Sequence, residues 1–595
     1  MILKAPTQSL NKGCFQLAFR RPTSPGKARR PCFHILVVVP FLLFQLSGCV
    51  SDKVADKGNL DSYQRMLANL GPQQREDTEG NSPVDPSGLL RPVPEPTFSF
   101  LQGIEVSSDP NSGKKTLSLS IDKAVVMALA NSPEIRVVSF DPAIARQEIT
   151  KAAADFDFTV FNQLNFEQQD SPTNSAFQSG QAESRSLEAG VKQRGITGAE
   201  WSLGYVLTRN WDDLIGRTRP TRYEPILAFQ LRQPLLRDGW QEVNLAGVNI
   251  ARLDHEISLL GFRQKAEDVA TQVIAVYWLL LQARRDLEIQ ESLMARTIET
   301  LKKVQGRREI DATDVQIKQA EASMKAREAV LLQARKEVAD AQDILVRLIA
   351  DPQANLLCDF EIVPMTSPHL NVEKLDTSDI LRLAMQKNPA VEQARLALKV
   401  AEINIRVAEN QAMPRLDLVA SAKTEGLSRG HGEAQDRMYS GDNLSYEIGL
   451  SLEYPIGNRK RTAELLRRKI ERRQATASLQ NVADKVAVQA KERIRMVETS
   501  FAEIQVQKEA TEAAQAHLQT LEQVEQVRES LTPEFLLVKL QAQETLAQAQ
   551  RAEIKAVVDL NTSTSQLAQI TGTVLELYPA DSAIRAITSS TSLPE

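Results

Sequence analysis

The sequence predicts a mainly α, internally duplicated chain with a small β part. Two very long stretches without proline carry a seven-residue apolar repeat, and short runs between them alternate strictly between apolar and polar residues. The order of these elements then recurs in the second half of the chain. The composition agrees: of 595 residues only 5% are aromatic and 26 are glycine, while 42% are hydrophobic and 25% charged. Such a chain is neither disordered nor a bundle of membrane-spanning helices.

The helices come first. Gly239 to Gln305 is about 67 residues with no proline, and Val273, Leu280, Leu287, Met294 and Leu301 stand seven apart. Asn458 to Glu529, about 72 residues, is a second such stretch. Shorter partners follow at Thr313–Ala350 and Pro533–Thr571, the latter with Phe535, Ala542, Ala549, Ala556, Ser563 and Ile570 in heptad positions. A period of seven means coiled-coil packing, and small residues on the seam let neighbours approach closely. At ~1.5 Å per residue the first long helix spans about 100 Å. No single neighbour matches it, but a helix 133–155 placed in line with 311–350 totals 63 residues. Each long helix is therefore expected to be flanked by two short ones in line, in a helical barrel. The apolar run Val273–Leu281 is nine residues, too short for a membrane span, and is expected as a buried band.

The duplication is visible in landmarks. At an offset of 256, Ala128 meets Ala384, Pro133 meets Pro389, Ile135 meets Val391, Ala145 meets Ala401 and Ile149 meets Ile405. Further on, Gln233-Pro234-Leu235 and Tyr454-Pro455-Ile456 close strand-like runs 221 residues apart. The first copy thus carries about 35 extra residues between its landmarks.

The strands carry the next inference. Tyr446, Ile448, Leu450, Leu452 and Tyr454 alternate with Ser445, Glu447, Gly449, Ser451 and Glu453. Runs around Phe158–Phe166, Trp201–Thr208 and Leu227–Arg232 do the same, and Leu416 and Leu418 begin a weaker one. Alternation over about ten residues fits a transmembrane β-barrel strand, though a half-buried soluble sheet has the same local pattern. Trp201, Tyr223, Tyr446 and Tyr454 near the run ends favour the membrane version. Helices enter and leave on one side, so each half needs an even number of strands. A candidate hairpin around Arg194–Gly198 leaves four or six per chain, too few to close a membrane barrel. Several chains are expected to share one.

The amino terminus gives the address. Residues 1–34 hold seven basic side chains and no acid, and the apolar run Ile35–Leu46 ends in Leu46-Ser47-Gly48-Cys49. This is the layout of a secretory signal, and its end resembles the lipobox of bacterial lipoproteins, which implies acylation of Cys49. Val50 would follow the lipidated residue, where aspartate would signal inner-membrane retention, so the bacterial outer membrane is expected. Loss of residues 1–48 leaves 64 basic against 76 acidic residues, a net charge of −12 that argues against a nucleic-acid partner. Only Cys49 and Cys358 then remain, so no disulfide framework is available. The expected organisation is a signal at 1–48, a lipid-anchored Pro-rich tether at 49–115 and a first repeat at 116–350, with strands about 156–234, a long helix 239–305 and a helix 311–350. An equatorial linker at 351–376 leads to a second repeat at 377–572, with strands about 414–455, a long helix 458–529 and a helix 534–571, and 573–595 is a tail.

The two-fold repeat, the helix–Asn-Pro–helix entries, the Gln-Pro-Leu and Tyr-Pro-Ile strand exits, and the turns Gly306–Asp314 and Arg528–Glu534 resemble the TolC-type outer-membrane efflux proteins. The lipobox matches their lipoprotein branch. The resemblance covers about residues 116–572, and the segment 170–225 departs from it. It implies a homotrimer sharing a β-barrel of twelve strands, a periplasmic α-helical tunnel, and docking to a periplasmic adaptor protein and an inner-membrane transporter. The implied function is an exit duct for small molecules or an exported polypeptide, in tripartite efflux or type I secretion. A structural lipoprotein spanning the envelope without transport is the alternative, but a spacer needs no barrel.

No catalytic constellation, cofactor motif or local metal site is present; the five histidines never fall within helical reach of one another. No enzyme and no cofactor are expected. Pore selectivity comes from charge and diameter at the narrowest point. The helix–helix turns at the tunnel tip carry Glu309, Asp311 and Asp314 in the first repeat, and Glu529 and Glu534 in the second. These are the gate or adaptor-contact candidates. Acids are also favoured in the first turns of helices for electrostatic reasons alone.

Overall fold

The computed structural model describes residues 106–108, 115–172, 174, 179–213, 221–310, 312–350, 360–370, 375–527 and 532–577. Leu46, Ser47, Gly48, Cys49, Asp311 and Glu529 lie outside the described residues.

The described part begins with strands β1 (Val106–Ser108) and β2 (Lys115–Leu119), followed by helices α1 (Ile121–Asn131) and α2 (Pro133–Ala153). Four strands come next: β3 (Thr159–Asp170), β4 (Gln181–Arg194), β5 (Glu200–Asp212) and β6 (Arg222–Pro234). A single turn, α3 (Gln241–Asn244), leads into α4 (Ala246–Gly306), and α5 (Asp314–Ile349) returns. After β7 (Phe360–Pro364) the pattern repeats with α6 (Thr377–Lys387), α7 (Pro389–Gln411), β8 (Arg415–Glu425), α8 (His431–Ser440) and β9 (Leu444–Glu453). It closes with α9 (Arg459–Val527), α10 (Pro533–Ile570) and the short α11 (Val574–Leu577). The mainly α, duplicated architecture with a small β part is therefore the one expected.

Local chemistry sets the helix boundaries. In the second repeat Asn388 caps α7, its side chain accepting from Ala390 N at 2.9 Å, with Pro389 as the first helical residue. The long helix of the first repeat begins at Ala246 rather than Gly239. Asp238 and Trp240 have φ of 64° and 75°, left-handed values that no helix tolerates. Asn410 holds that corner, accepting from Asp238 N at 2.8 Å and donating to Leu236 O at 3.0 Å. A hydrophobic-pattern reading cannot see this kink, because it depends on a contact from the other repeat.

Helices α2 and α5 both pack along one side of α4, and α7 and α10 along the other; α9 then packs on α7 and α10. Four columns result, two of them built from two shorter helices. The 61 residues of α4 and 69 of α9 correspond to about 90 and 100 Å. No described helix is long and apolar enough to cross a membrane.

The apolar run of α4 is the centre of the largest core. Val273, Ile274, Tyr277, Trp278 and Leu280 are all buried there, among Leu119, Ile121, Val125, Leu345 and Ile362. Around this band lies a second small sheet, in which β2 pairs antiparallel with β1 and parallel with β7. Strands at Val106–Ser108 and Lys115 fall in the stretch expected to be tether, and β7 falls in the expected linker. Their pairing is long-range and main-chain, so it leaves little trace in local periodicity. Tyr277 ties sheet to helix by donating to Leu119 O at 2.9 Å and accepting from Thr366 N at 3.0 Å.

Replacing Tyr277 with Phe leaves Thr366 N without its acceptor, while Leu119 O keeps only its bond from Met365 N at 3.0 Å. The expected cost is about 1–3 kcal/mol, read as a lowered unfolding midpoint in detergent by circular dichroism. An unchanged midpoint would show that water or a neighbour replaces the hydroxyl.

Candidate functional site

The six remaining strands form one antiparallel sheet in the order β3-β4-β5-β6-β8-β9. The candidate hairpin around Arg194–Gly198 is real and joins β4 to β5, which settles the choice between four and six strands at six. The sheet also joins the repeats, since β6 of the first pairs with β8 of the second.

Directly opposite residues in an antiparallel ladder share a face. One row runs Val160, Val191, Leu203, Phe229, Ala422, Tyr446 across all six strands. The adjacent row runs Thr159, Lys192, Ser202, Gln230, Ser421, Glu447. One face of the sheet is thus largely apolar and the other largely polar, across strands of 10–14 residues. That is the division a lipid-facing wall around a wet lumen requires.

The polar face is stitched by ion pairs. Asp417, only 4% exposed, lies 2.8 Å from Arg232 Nε and 2.9 Å from Arg415 Nε, so one carboxylate bridges β6 and β8 where the repeats meet. Arg222 pairs with Glu224 at 3.2 Å and Lys423 with Glu425 at 3.1 Å. On the apolar face, at the rim away from the long helices, lies α8, which the sequence analysis did not anticipate. Gly426 admits it: a Cβ there would stand 1.9 Å from Ala434 O. Thr424 Oγ1 donates to Met438 O at 2.7 Å, and Gln435 Nε2 to the Tyr205 hydroxyl at 3.2 Å. Ten residues rich in charge between two strands look like a loop, and only these contacts make them a helix.

Below the sheet, the head of α9 carries a basic stretch between Arg459 and Arg473, part of which is ion-paired. Arg467 and Arg468 meet Glu464 and Glu471 on the same helix, and Lys469 and Arg472 meet Glu409 and Glu402 on α7.

Further along, the seam between helices turns polar. Asp286, Gln290, Thr297 and Thr300 occupy buried positions on α4 that an apolar heptad would fill. Arg327 on α5 is 7% exposed and donates to Thr297 Oγ1, to Gln543 Oε1 at 3.1 Å and to Leu540 O at 2.7 Å. Gln543 Nε2 in turn donates to Thr300 Oγ1 at 3.2 Å, so α4, α5 and α10 are locked by one network. Nearer the tip, Lys539 and Glu525 pair at 2.6 Å with both side chains largely buried. An apolar-only pattern misses these residues; polar side chains recurring at heptad spacing were the available signal.

Of the tip candidates, Glu309, Asp314 and Glu534 are described and all are exposed. Asp314 lies 3.3 Å from Arg308. The helix caps are supplied by others: Thr313 makes a capping box with Gln316, and the Thr532 side chain accepts from Phe535 N. The acids therefore do not cap their helices with their own side chains. Beneath them, Val304, Ala312, Ile317, Leu536 and Leu540 form a small core that holds the two turns together.

The family model described as outer membrane efflux protein matches residues 380–573. The chain carries an outer membrane efflux protein domain. Its fold over the first repeat, the sheet and that domain is that of TolC-type outer-membrane channels. The outer membrane protein VceC from Vibrio cholerae is 15% identical, with a TM-score of 0.54, 76% of this chain and 96% of that one being covered. The CmeC outer membrane channel of Campylobacter jejuni is 12% identical, with a TM-score of 0.56 and coverage of 76% and 86%. The MtrE outer membrane channel of Neisseria gonorrhoeae, in its open state, is 16% identical, with a TM-score of 0.55 and coverage of 76% and 89%. No curated protein matches the sequence. The expected family is thus the one matched over residues 380–573, and the expected channel fold is the one observed.

One titration is expected in the helical part. Glu267 on α4 is 2% exposed, and burial pushes its carboxyl up to about 7 although Arg263 Nε lies 2.8 Å away and pulls the other way. The folded chain then keeps a proton that the unfolded chain releases near 4.5. Stability is highest below that lower value and falls as pH rises towards 7, by on the order of 3 kcal/mol. Thermal melts from pH 4.5 to 8 should show that fall, and Glu267→Gln should flatten it. An equally steep profile in the variant would place the proton elsewhere.

Proposed function

We propose that this protein is the outer-membrane exit duct of a tripartite efflux or type I secretion system, passing small molecules or an exported polypeptide. The supporting observation is the six-strand sheet with one apolar and one polar face and with both its edges, β3 and β9, unpaired among the described residues. One copy cannot close a barrel, and an open edge is not tolerated in hydrocarbon. The four helix columns end in the same way, with α2 and α5 on one side and α9 on the other. Exposed apolar side chains such as Phe140 and Leu332 on the first edge and Ile470 and Phe501 on the second await a neighbour. Three copies, as in the resembled family, would close sheet and tunnel together. The acylated Cys49 would add an anchor in outer-membrane lipid. A periplasmic adaptor protein and an inner-membrane transporter would meet the far end of the tunnel.

At that end Glu309, Asp311, Asp314, Glu529 and Glu534 would form acidic rings around the axis, attracting cations and repelling one another. Replacing Asp311 and Asp314 by Ala should raise conductance or weaken block by divalent cations in planar-bilayer recordings. Unchanged conductance and block would remove both residues from the gate and leave Asp314 a role only in the first turn of α5.

The decisive test is cross-linking in intact cells, purification through this chain and mass spectrometry of what accompanies it. An adaptor together with an inner-membrane transporter is the expected result. Envelope structural proteins alone would favour a spacer without transport.

A further inference from the structure

We propose that β4 and β5 are two inserted staves that widen the outer-membrane barrel to eighteen strands, three copies being joined edge to edge through β3 and β9. The inference rests on the shared-barrel reading above and adds to it the strand count and the width of the exit.

The surplus in the first repeat has the right size. Its landmarks are separated by about 35 more residues than those of the second, and the structure spends them on one additional hairpin: four strands where the second repeat has two. A membrane strand takes about 9–11 residues, so two strands and their turns account for the excess.

The hairpin is part of the wall rather than an appendage to it. β4 pairs with β3 from Gln181 to Lys192, and β5 pairs with β6 from Glu200 to Asn210. β3 never pairs with β6, which it would have to do if the wall closed without the insertion. The apolar and polar rows run through β4 and β5 in phase with the other four strands. The turn between them is seated against the base of the long helix. Gly198 has φ of 85°, and a Cβ there would lie 2.3 Å from Asp238 O. Thr197 Oγ1 donates to Gln233 Oε1 at 3.2 Å, and Arg194 Nη2 to Asn244 Oδ1 at 2.8 Å. The turn therefore sits at the same level as the β6–α3 corner, where the wall meets the helices.

The two free edges fit one another. In a six-strand antiparallel sheet the first and last strands run in opposite directions, so β9 of one copy meets β3 of the next in antiparallel sense. Their outward side chains are bare in the single chain: Val160 is 78% and Leu164 76% exposed on β3, Ile448 74% and Leu450 70% on β9. Joining keeps apolar with apolar and polar with polar, and it satisfies both rows of unpaired main-chain groups. Six strands per chain and three chains give eighteen. Barrel diameter grows about linearly with strand number, so this exit is about one and a half times as wide as one of twelve strands, and barrels of 16–18 strands hold an aqueous channel. Any selection by size then falls to the helical tunnel and its tip, and the barrel serves as a porin-width mouth.

The test uses full-length protein with Cys358→Ser, expressed in outer membranes. Gln163→Cys on β3 is combined in turn with Glu447→Cys and Ser451→Cys on β9, all on the polar face, and separately with Gln230→Cys on β6. Cross-linking between copies through β3 and β9, forming a ladder that stops at three chains, with no β3–β6 link within a chain, is expected. Three chains with a β3–β6 link instead would mean a twelve-strand barrel with the hairpin expelled, and would overturn the inference while leaving the duct intact. A ladder that stops at two chains would also overturn it. Monomers without any link would instead remove the shared barrel itself. Should the cysteine variants fail to insert, electron cryomicroscopy of the unaltered protein in lipid nanodiscs counts the staves directly, eighteen being expected and twelve overturning the proposal.

Discussion

A main-chain N–H or C=O has no partner in hydrocarbon except another main-chain group. On the proposed reading, the six-strand sheet answers to that constraint. Six strands are enough to turn a polar face inward and an apolar face outward, but not enough to satisfy their own edges. On that reading the chain carries an incomplete wall, which other copies complete. The same incompleteness runs down the helices, where the outer columns end on exposed apolar side chains.

Sheet and helices are coupled at a small number of corners. The left-handed residues Asp238 and Trp240 break the chain between β6 and α4, and Asn410 from the other repeat holds the break. Asp417 holds the two repeats together one layer higher, between Arg232 and Arg415. These contacts are polar, short and shared between halves of the chain. They allow a duplicated sequence to act as one wall rather than two hairpins side by side.

The helical part uses two kinds of seam. At the equator α4 is apolar, and Tyr277 and Trp278 anchor it beneath the small sheet. Towards the tip the buried positions become Thr, Gln, Asp and Arg, linked through Arg327 and Gln543. An apolar seam gains from burial in any register, whereas a hydrogen-bonded seam has good geometry in few. Placing the polar seam near the tip fixes the turns that carry Asp314 and Glu534, while the core between those turns is small.

By itself the sequence determined the element types, the duplication and the two faces of the wall. Heptads, the Asn388-Pro389 entry and the alternation of Tyr446 to Tyr454 are local signals, written within a few turns or strand repeats. The tertiary structure decided what depends on partners far along the chain. It made a strand of Phe360–Pro364 by parallel pairing, moved the start of the long helix to Ala246, folded His431–Ser440 as a helix against Tyr205 and Thr424, and incorporated the hairpin at Gly195–Gly198 into the wall. Each of these is set by main-chain pairing or by polar contacts between residues tens to hundreds of positions apart, and such contacts have no period for a single sequence to display.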